Sequence, residues 1–316
     1  MTDLFATVGK LAPVVLVFGG GVVFARRKII GADASKAFSE FAFLFAIPCY
    51  LFGSLYASDL GRLFDVRGML AYLSAAVIAM ALVAVGARRV LGADARATAL
   101  RIMATVQVNT TYFAIPVFVL LFGDASPIFP TILLQVCVFT VVVVAVMESG
   151  AGHQDQDVSA ARAVLRGVRS ALTTPLVLAC YLGIGANLLH VPAPGPLLAA
   201  LSFTGAAAAP VALFAFGLHL GGSGLRWRGA TRDEYALIAI KCLAMPLLVF
   251  ALCVGVFRVE NPWLSYLVLT AAMPAPQNLF VFAQRYDADV DLAASVVAKT
   301  TLAALALIPL WLLVTR

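Results

Sequence analysis

The stretch Thr105-Val-Gln-Val-Asn-Thr-Thr-Tyr-Phe-Ala-Ile-Pro-Val-Phe-Val-Leu-Leu-Phe-Gly123 decides how the whole sequence is interpreted. It is apolar at both ends, but its middle carries a run of polar residues that leads to a proline. These interrupting residues are Gln107, Asn109, Thr110, Thr111, Tyr112 and Pro116. Proline has no amide proton and disfavours helical geometry in the residue before it. The stretch is therefore predicted to be a helix that is broken near Asn109–Pro116.

A second stretch of the same kind is Met273-Pro-Ala-Pro-Gln-Asn278, where two prolines precede two amide side chains. The residues concerned are Pro274, Pro276, Gln277 and Asn278. Within hydrocarbon, such interruptions are tolerated only where protein or a water-filled cavity surrounds them. In secondary transporters, a pair of interrupted helices in corresponding positions of two halves marks the substrate site. We therefore predict that the residues of these two stretches line a substrate site.

Composition places the chain in a membrane. Its 316 residues are 62% hydrophobic and 12% charged, with a mean hydropathy of +0.99. A soluble domain of this size could not cover its surface with so few polar groups. A membrane span needs about 20 mostly apolar residues. We predict an all-α integral membrane protein with ten transmembrane helices, at roughly 11–30, 37–56, 69–91, 98–122, 127–148, 171–190, 196–220, 235–257, 262–285 and 291–314.

Basic residues predict the orientation. With the N-terminus outside, fifteen Lys and Arg residues fall in inner loops and five in outer ones. The positive-inside rule then places both termini on the outer, periplasmic side of the cell inner membrane. Residues 150–170 are predicted to form a cytoplasmic linker, of which 158–170 has the pattern of an amphipathic surface helix or of a plain solvated connection. Orientation also explains the net charge of +6, so nucleic acid is not an expected partner.

The two halves of the chain resemble each other. An offset of 162 residues superposes the proline and the Leu-Phe pair of 46–52 on those of 208–214, and an offset near 165 relates 122–124 to 287–289. Because five spans per copy is an odd number, the second copy must be inverted in the membrane. We predict one repeat over 1–149 and another over 171–316, with broken crossover helices four and nine.

The two broken stretches also resemble a known family. Residues 109–116 (Asn-Thr-Thr-Tyr-Phe-Ala-Ile-Pro), followed by Phe-Gly-Asp at 122–124, look like the fourth-span motif of the auxin efflux carrier family. Residues 274–283 (Pro-Ala-Pro-Gln-Asn-Leu-Phe-Val-Phe-Ala), followed by Arg285-Tyr286, look like its ninth-span motif. That family includes the plant PIN carriers and bacterial permeases for malonate or malate. The resemblance follows the chain in order over its whole length.

This resemblance implies an inverted-repeat fold like that of bile-acid symporters and sodium/proton antiporters. Helices 1, 2, 6 and 7 would form a scaffold domain, and helices 3–5 and 8–10 a transport domain that contains the crossover. The chain departs from the family at Phe113 and Ala114, where many bacterial members carry glycines. These larger side chains predict a narrower pocket.

Two intramembrane lysines are interpreted differently. Lys241 lies only about 9 Å into span eight at 1.5 Å per residue, so its stem is expected to reach the inner surface. Lys299 lies about 12 Å into span ten, near the middle of a core about 30 Å thick. It is predicted either to bond backbone carbonyls of a broken neighbour or to stand in the place of a coupling cation beside the crossover. Likewise, Asn109 and Asn278 either contact the substrate or join helices by hydrogen bonds.

The sequence carries no zinc-protease, nucleophile-elbow or phosphate-loop motif, so we expect no enzyme, no metal site and no cofactor. Gly19-Gly20-Gly21 predicts close helix packing instead. We predict a secondary active transporter of a small organic anion, such as malonate, malate or an auxin-like acid, with possible proton or sodium coupling. Its partners would be that anion and the lipid bilayer, with a homodimer through the scaffold domain as a further possibility. The alternatives are a facilitative uniporter or channel, a membrane sensor without transport, and an enzyme.

Overall fold

The computed structural model describes residues 2–31, 33–149, 169, 173–222 and 231–315. Within these ranges the regular structure is entirely helical. The helices, in chain order, are α1 (Thr2–Arg26), α2 (Ala34–Ala57), α3 (Val66–Val90), α4 (Ala95–Val106), α5 (Ile115–Phe122), α6 (Ser126–Met147), α7 (Pro175–Leu188), α8 (Gly195–Ala206), α9 (Ala208–Gly222), α10 (Arg232–Phe257), α11 (Trp263–Ala272), α12 (Leu279–Arg285) and α13 (Val290–Val314).

Seven of the described helical stretches are long and apolar enough to cross a membrane. Three shorter apolar helices lie where spans one, six and nine are predicted, at Leu11–Arg26, Pro175–Leu188 and Trp263–Ala272. The prediction of a multi-pass, all-helical membrane protein is confirmed at this level. The count of ten spans and the inverted repeat stay predictions. The predicted linker 150–170 lies outside the described residues apart from Arg169.

Short polar residues set the helix starts. The Asp65 carboxylate accepts the Gly68 amide at the start of α3, and the Asp94 carboxylate accepts the Ala97 amide at the start of α4, at 3.0 and 2.7 Å. The Thr231 hydroxyl oxygen accepts the Glu234 amide at the start of α10, at 3.2 Å. Each bond satisfies an amide that has no partner inside its own helix.

The described helices form two compact units. Unit 1 comprises Met1–Phe64, Thr110–Pro130 and Thr173–Leu225, and unit 2 comprises Asp65–Asn109, Thr131–Leu172 and Arg226–Arg316. Unit 1 therefore contains α1, α2, α5 and α7–α9, while unit 2 contains α3, α4, most of α6 and α10–α13. The predicted repeats and the scaffold and transport domains stay predictions.

In unit 1, glycines bring α1 and α9 together. A Cβ added at Gly21 or Gly217 would overlap a backbone carbonyl oxygen of the other helix. One added at Gly221 would lie 2.7 Å from the Val22 carbonyl oxygen. The prediction of close packing is confirmed at Gly21, whereas Gly19 and Gly20 have no atom within 4 Å of such a Cβ.

In unit 2, α4 is the enclosed element. Nine consecutive residues, Thr98–Val106, are all buried. Helices α3, α6, α12 and α13 pack against it, together with the part of α10 around Ile240–Ala244. A helix that is buried on every side must hold the polar groups at its end within the protein. That end is the first of the two breaks.

Candidate functional site

The first break follows α4. Gln107, with ψ 158°, leaves helical geometry, and Gln107–Asn109 are not helical. A single side chain then satisfies both backbone groups of Val108. The Val108 amide donates to Gln135 Oε1 at 2.9 Å, and Gln135 Nε2 donates to the Val108 carbonyl oxygen at 3.1 Å. The sequence analysis missed Gln135, because one Gln in an apolar span carries no motif.

The second break follows α11, which ends where Met273 takes ψ 153°. Two prolines follow within three residues, and each removes an amide donor from the chain. The Ala275 amide between them donates to Thr300 Oγ1 at 3.1 Å. The Thr300 hydroxyl itself donates to the Val296 carbonyl oxygen of its own helix α13, at 2.7 Å. Helix α13 therefore supports the second break, as α6 supports the first.

The two breaks meet within unit 2. The Asn109 amide donates to the Pro274 carbonyl oxygen at 2.9 Å. Gln107, Asn109, Pro274 and Pro276 are buried, while Gln277 is half-buried and Asn278 is exposed. The structure therefore brings together, by a backbone bond, two stretches that the sequence analysis selected independently.

Two amide oxygens at these breaks remain without a partner in the part of the chain that the structure describes. They are Gln107 Oε1 and Gln277 Oε1, and both atoms are buried. Gln107 Nε2 donates to Thr140 Oγ1 at 3.3 Å, and that hydroxyl donates to the Gln135 carbonyl oxygen at 2.8 Å. Since the hydroxyl proton is already used, Gln107 must turn its nitrogen towards Thr140. Its oxygen is left to accept a donor from a ligand, a cation or water.

The other predicted residues of span four lie in unit 1. Thr110, Thr111 and Tyr112 all lie in a wide, π-type turn over Thr110–Ala114. Helix α5 begins directly after this turn. Pro116 fits there because the first amides of a helix need no intrahelical partner. Thr111 and Pro116 are buried, and Thr110 and Tyr112 are half-buried. Helix α5 packs against α1 and α9 and ends at Gly123, whose φ of 78° suits glycine.

Lys299 has a carboxylate partner. Its Nζ donates to Glu234 Oε1 at 2.6 Å, and the Ser295 hydroxyl donates to the same oxygen. The side chains of Lys299 and Glu234 are 12% and 7% exposed. Glu234 lies in the first turn of α10, so the pair joins α10 to α13. The sequence analysis missed Glu234, although Thr231-Arg-Asp-Glu234 is the pattern of a helix start.

A second ion-pair group lies nearby in unit 2. The Arg101 guanidinium contacts Asp233 Oδ2 at 2.6 Å and Asp289 Oδ2 at 2.8 Å. Arg101 belongs to α4, Asp233 to α10, and Asp289 directly precedes α13. Arg101 thus joins three elements of the unit. Arg101 is one of the fifteen basic residues counted in the predicted inner loops, and neither of its carboxylate partners was predicted from the sequence.

The expectation that Lys241 reaches the membrane surface is wrong. Its side chain is 0% exposed, and its Nζ has no hydrogen-bond partner among the described residues. Lys241 lies in the π-type turn Ile240–Ala244 of α10, which packs against α4, α11 and α13. Those helices enclose the lysine stem, so it cannot extend along α10 towards water.

Unit 2 also holds a cavity of about 530 Å³, lined mainly by apolar side chains of α3 and α10. Its charged lining residues are Arg101, Arg232 and Asp233. None of the described residues of the two breaks lines it. The Arg101 guanidinium of this cavity is already paired with two carboxylates, whereas the buried amide oxygens without a partner lie at the breaks. We therefore place the candidate site at the breaks.

In unit 1, Asp124 follows the end of α5. Its carboxylate accepts the Ser54 hydroxyl at 2.6 Å, the Tyr50 hydroxyl at 3.2 Å, the Ser126 amide at 3.1 Å and the Ser126 hydroxyl. Partial burial raises the pKa of Asp124, but these hydrogen bonds outweigh it and leave the pKa below its ordinary value. The site is therefore a carboxylate satisfied by neutral donors.

Among the residues that the structure describes, no three His, Cys, Asp or Glu side chains cluster so that they could hold a metal ion.

Two proteins are similar in sequence to this chain. A protein named "Putative malonate transporter" from Rhizobium meliloti (strain 1021) is 32% identical over 132 residues, which cover 42% of this chain and 41% of that relative. A protein named "Uncharacterized transporter" from Methanothermobacter thermautotrophicus (strain Delta H) is 27% identical over 305 residues, which cover 92% of each chain.

A sequence model of the family described as Membrane transport protein matches residues 6–312, nearly the whole chain. The match includes both broken stretches and every described helix from α2 to α12 in full. It agrees with the resemblance to the auxin efflux carriers, which these stretches indicate. The chain belongs to this family of membrane transport proteins.

Proposed function

We propose that the protein is a secondary active transporter of a small organic anion, a carboxylate such as malonate, malate or an auxin-like acid. The observation that carries this proposal is the backbone hydrogen bond between Asn109 and Pro274, which joins two interrupted helices. Interrupted helices are stable in a membrane only when they face protein or a water-filled cavity. Their occurrence as a pair is typical of substrate sites in transporters.

The geometry of the breaks favours a polar ligand. Each break frees backbone groups and places amide side chains beside them, at Gln107 and Asn109 in the first and at Gln277 and Asn278 in the second. Helix N-termini that begin after a break present amides to a ligand and favour negative charge. We propose that Pro274 and Pro276 complete the lining within unit 2, and the roles of Thr110, Thr111, Tyr112 and Pro116 in unit 1 stay predictions. The printed name of the Rhizobium relative supports malonate as the first substrate to test.

The Lys299–Glu234 pair is the proposed coupling element. Within unit 2, the Lys299 ammonium already holds the position that a cation would take beside Glu234. On this proposal, Lys299→Ala leaves Glu234 free to bind sodium, so uptake is lost or becomes dependent on added sodium. Lys299→Arg keeps the charge but cannot release a proton at ordinary pH. Unaltered uptake and pH dependence in Lys299→Ala would rule out this role.

The orientation is proposed from charge, and the cell inner membrane is proposed as the location. Fifteen basic residues in predicted inner loops against five in outer loops favour an orientation with both termini outside. The homodimer through the scaffold helices stays a prediction. Transport would proceed by alternating access to the site at the breaks.

Uptake into proteoliposomes tests the proposal. Purified protein is reconstituted and given radiolabelled malonate, malate or an auxin-like monocarboxylate, with or without an imposed proton or sodium gradient. Accumulation above equilibrium that depends on the gradient is the expected result. Equilibration without gradient dependence would indicate a facilitative uniporter, and binding without uptake would indicate a sensor.

A neutral analogue tests the charge of the ligand. Helix termini contribute about 0.3–1 kcal/mol to a nearby charge and up to about 2 kcal/mol when partly buried. A partly buried terminus therefore predicts up to roughly tenfold weaker binding of the fully esterified acid, since 1.4 kcal/mol is a factor of ten. Competition against labelled acid measures this ratio. Equal competition by acid and ester would count against an anion site.

A further inference from the structure

Lys241 is a buried lysine to which the proposed function assigns no role. Its side chain is 0% exposed, and its Nζ lacks a hydrogen-bond partner within the described ranges. Charged side chains inside membrane segments are rare and normally face one another, a cavity or backbone carbonyls. An ammonium that has none of these partners requires one from outside the chain, or loses its charge.

The acidic side chains of the neighbouring elements cannot supply that partner. Helices α4, α11 and α13 pack against the turn that carries Lys241. The nearest carboxylates along these elements and along α10 are already engaged. Glu234 is bound by Lys299, and Asp233 and Asp289 are bound by Arg101. Asp291, at the start of α13, is exposed.

A short chain of contacts connects Lys241 to the second break. The next residue, Cys242, directs its Sγ to the Thr300 carbonyl oxygen at 3.9 Å, and its carbonyl accepts the Trp311 indole N–H at 3.1 Å. Thr300 Oγ1 is the group that accepts the Ala275 amide. The turn that carries the lysine is therefore held, through Cys242, against the part of α13 that supports the break. Its turn is of the π type, which is frequent at functional sites.

From these observations, we propose that the Lys241 ammonium is the fixed positive charge that binds a carboxylate group of the transported anion within unit 2. This inference rests on the proposed function and adds a residue to its site. Amide groups at the breaks offer the anion only the partial positive charges of their dipoles, whereas the Lys241 ammonium offers it a full positive charge. An empty site would then hold an unpaired ammonium, which the entering carboxylate neutralises.

Lys241→Met tests this inference because methionine keeps the length of the side chain without its charge. Lys36→Met is the matched control, since the Lys36 side chain is 83% exposed and its ion pair with Glu40 is long, at 4.0 Å. We expect Lys241→Met to raise the KM for malonate uptake at least tenfold and to lose the thermal stabilisation that malonate gives in detergent. Lys36→Met should change neither value.

The outcomes separate the inference from the proposed function. Unchanged stabilisation by malonate in Lys241→Met would overturn the inference and leave the proposed function intact. Wild-type protein that neither takes up nor is stabilised by any tested carboxylate would overturn both. Should Lys241→Met fail to fold, Lys241→Arg provides the second variant. Its larger, planar head does not fit an enclosed lysine site, so a raised KM with retained kcat is expected and an unchanged KM overturns the inference.

Discussion

Two lysines in unit 2 lie at similar depth in their helices and have opposite surroundings. Lys299 of α13 has a carboxylate oxygen 2.6 Å from its Nζ. Lys241 of α10 is completely buried and has no such partner in the described chain. The position of a lysine along its own helix therefore does not determine its role. That role is determined by the side chains that other helices place around the lysine.

The largest expected effect comes from removing the partner of Lys299. Glu234→Ala leaves a buried ammonium unpaired, and breaking a buried pair in this way costs about 3–5 kcal/mol of unfolding free energy. Denaturant unfolding in detergent measures this loss. The double variant Glu234→Ala/Lys299→Ala should recover most of it, because no charge is left alone.

Asp291→Ala is the matched control for that variant, since Asp291 is an exposed carboxylate in the first turn of α13. It should change stability by less than about 0.5 kcal/mol, as surface substitutions usually do. A loss at Glu234→Ala no larger than at Asp291→Ala would show that the ion pair contributes nothing.

The second expected effect is a gain in unfolding free energy, opposite in sign to the loss expected for Glu234→Ala. Without ligand, Lys241→Met removes an unpaired charge from the interior of a membrane helix, where it costs roughly 2.5–3.5 kcal/mol. The variant should therefore unfold at higher denaturant concentration than wild type, by up to about that free energy. Lys299→Met should unfold at lower concentration. If both variants are destabilised alike, the contrast between the two lysines is wrong.

Asn109 and Asn278 extend the comparison to amide side chains at the two breaks. The bond from Asn109 to Pro274 uses the backbone amide, which alanine retains, and Asn278 is exposed. With that backbone bond kept, Asn109→Ala and Asn278→Ala should remain folded while losing transport more than tenfold, equivalent to about 1.4 kcal/mol. Uptake by the purified variants measures this. Wild-type rates in both would remove these residues from the site.

The helices and both breaks could be predicted from the sequence because hydropathy and proline are local signals. The first break is predicted within 109–116 and observed at Gln107–Asn109, a few residues earlier. Proline restricts only its immediate surroundings. Here the π-type turn Thr110–Ala114 separates Pro116 from the point where α4 ends.

The partners of the site could not be predicted in the same way. Gln135 satisfies Val108, and Glu234 pairs with Lys299, across 27 and 65 positions of sequence. One amide or one carboxylate in an apolar run has no periodicity that would identify its contact. Lys241 was misjudged for the same reason, since the enclosing helices α4, α11 and α13 are distant in sequence.

Asp124 in unit 1 provides the smallest expected effect, since it is a part-buried charge that neutral donors alone satisfy. Its pKa is held below the ordinary value of about 3.9 by hydroxyl and amide hydrogen bonds. A depressed carboxylate pKa stabilises the fold above the unfolded pKa, and this stabilisation is lost as pH falls through the folded pKa. Each such hydrogen bond contributes about 0.5–1.5 kcal/mol net.

Asp124→Asn should therefore lower the unfolding free energy by about 1 kcal/mol at neutral pH, because its amide group cannot accept all of the same donors. The difference between wild type and variant should stay constant down to about pH 5 and shrink below about pH 4, where the wild-type carboxylate becomes protonated. Thermal unfolding of both proteins from pH 7 to pH 3 measures it. A difference that widened on acidification would mean that the carboxylate destabilises this part of unit 1, and that the hydroxyls of Tyr50 and Ser54 do not compensate for its burial.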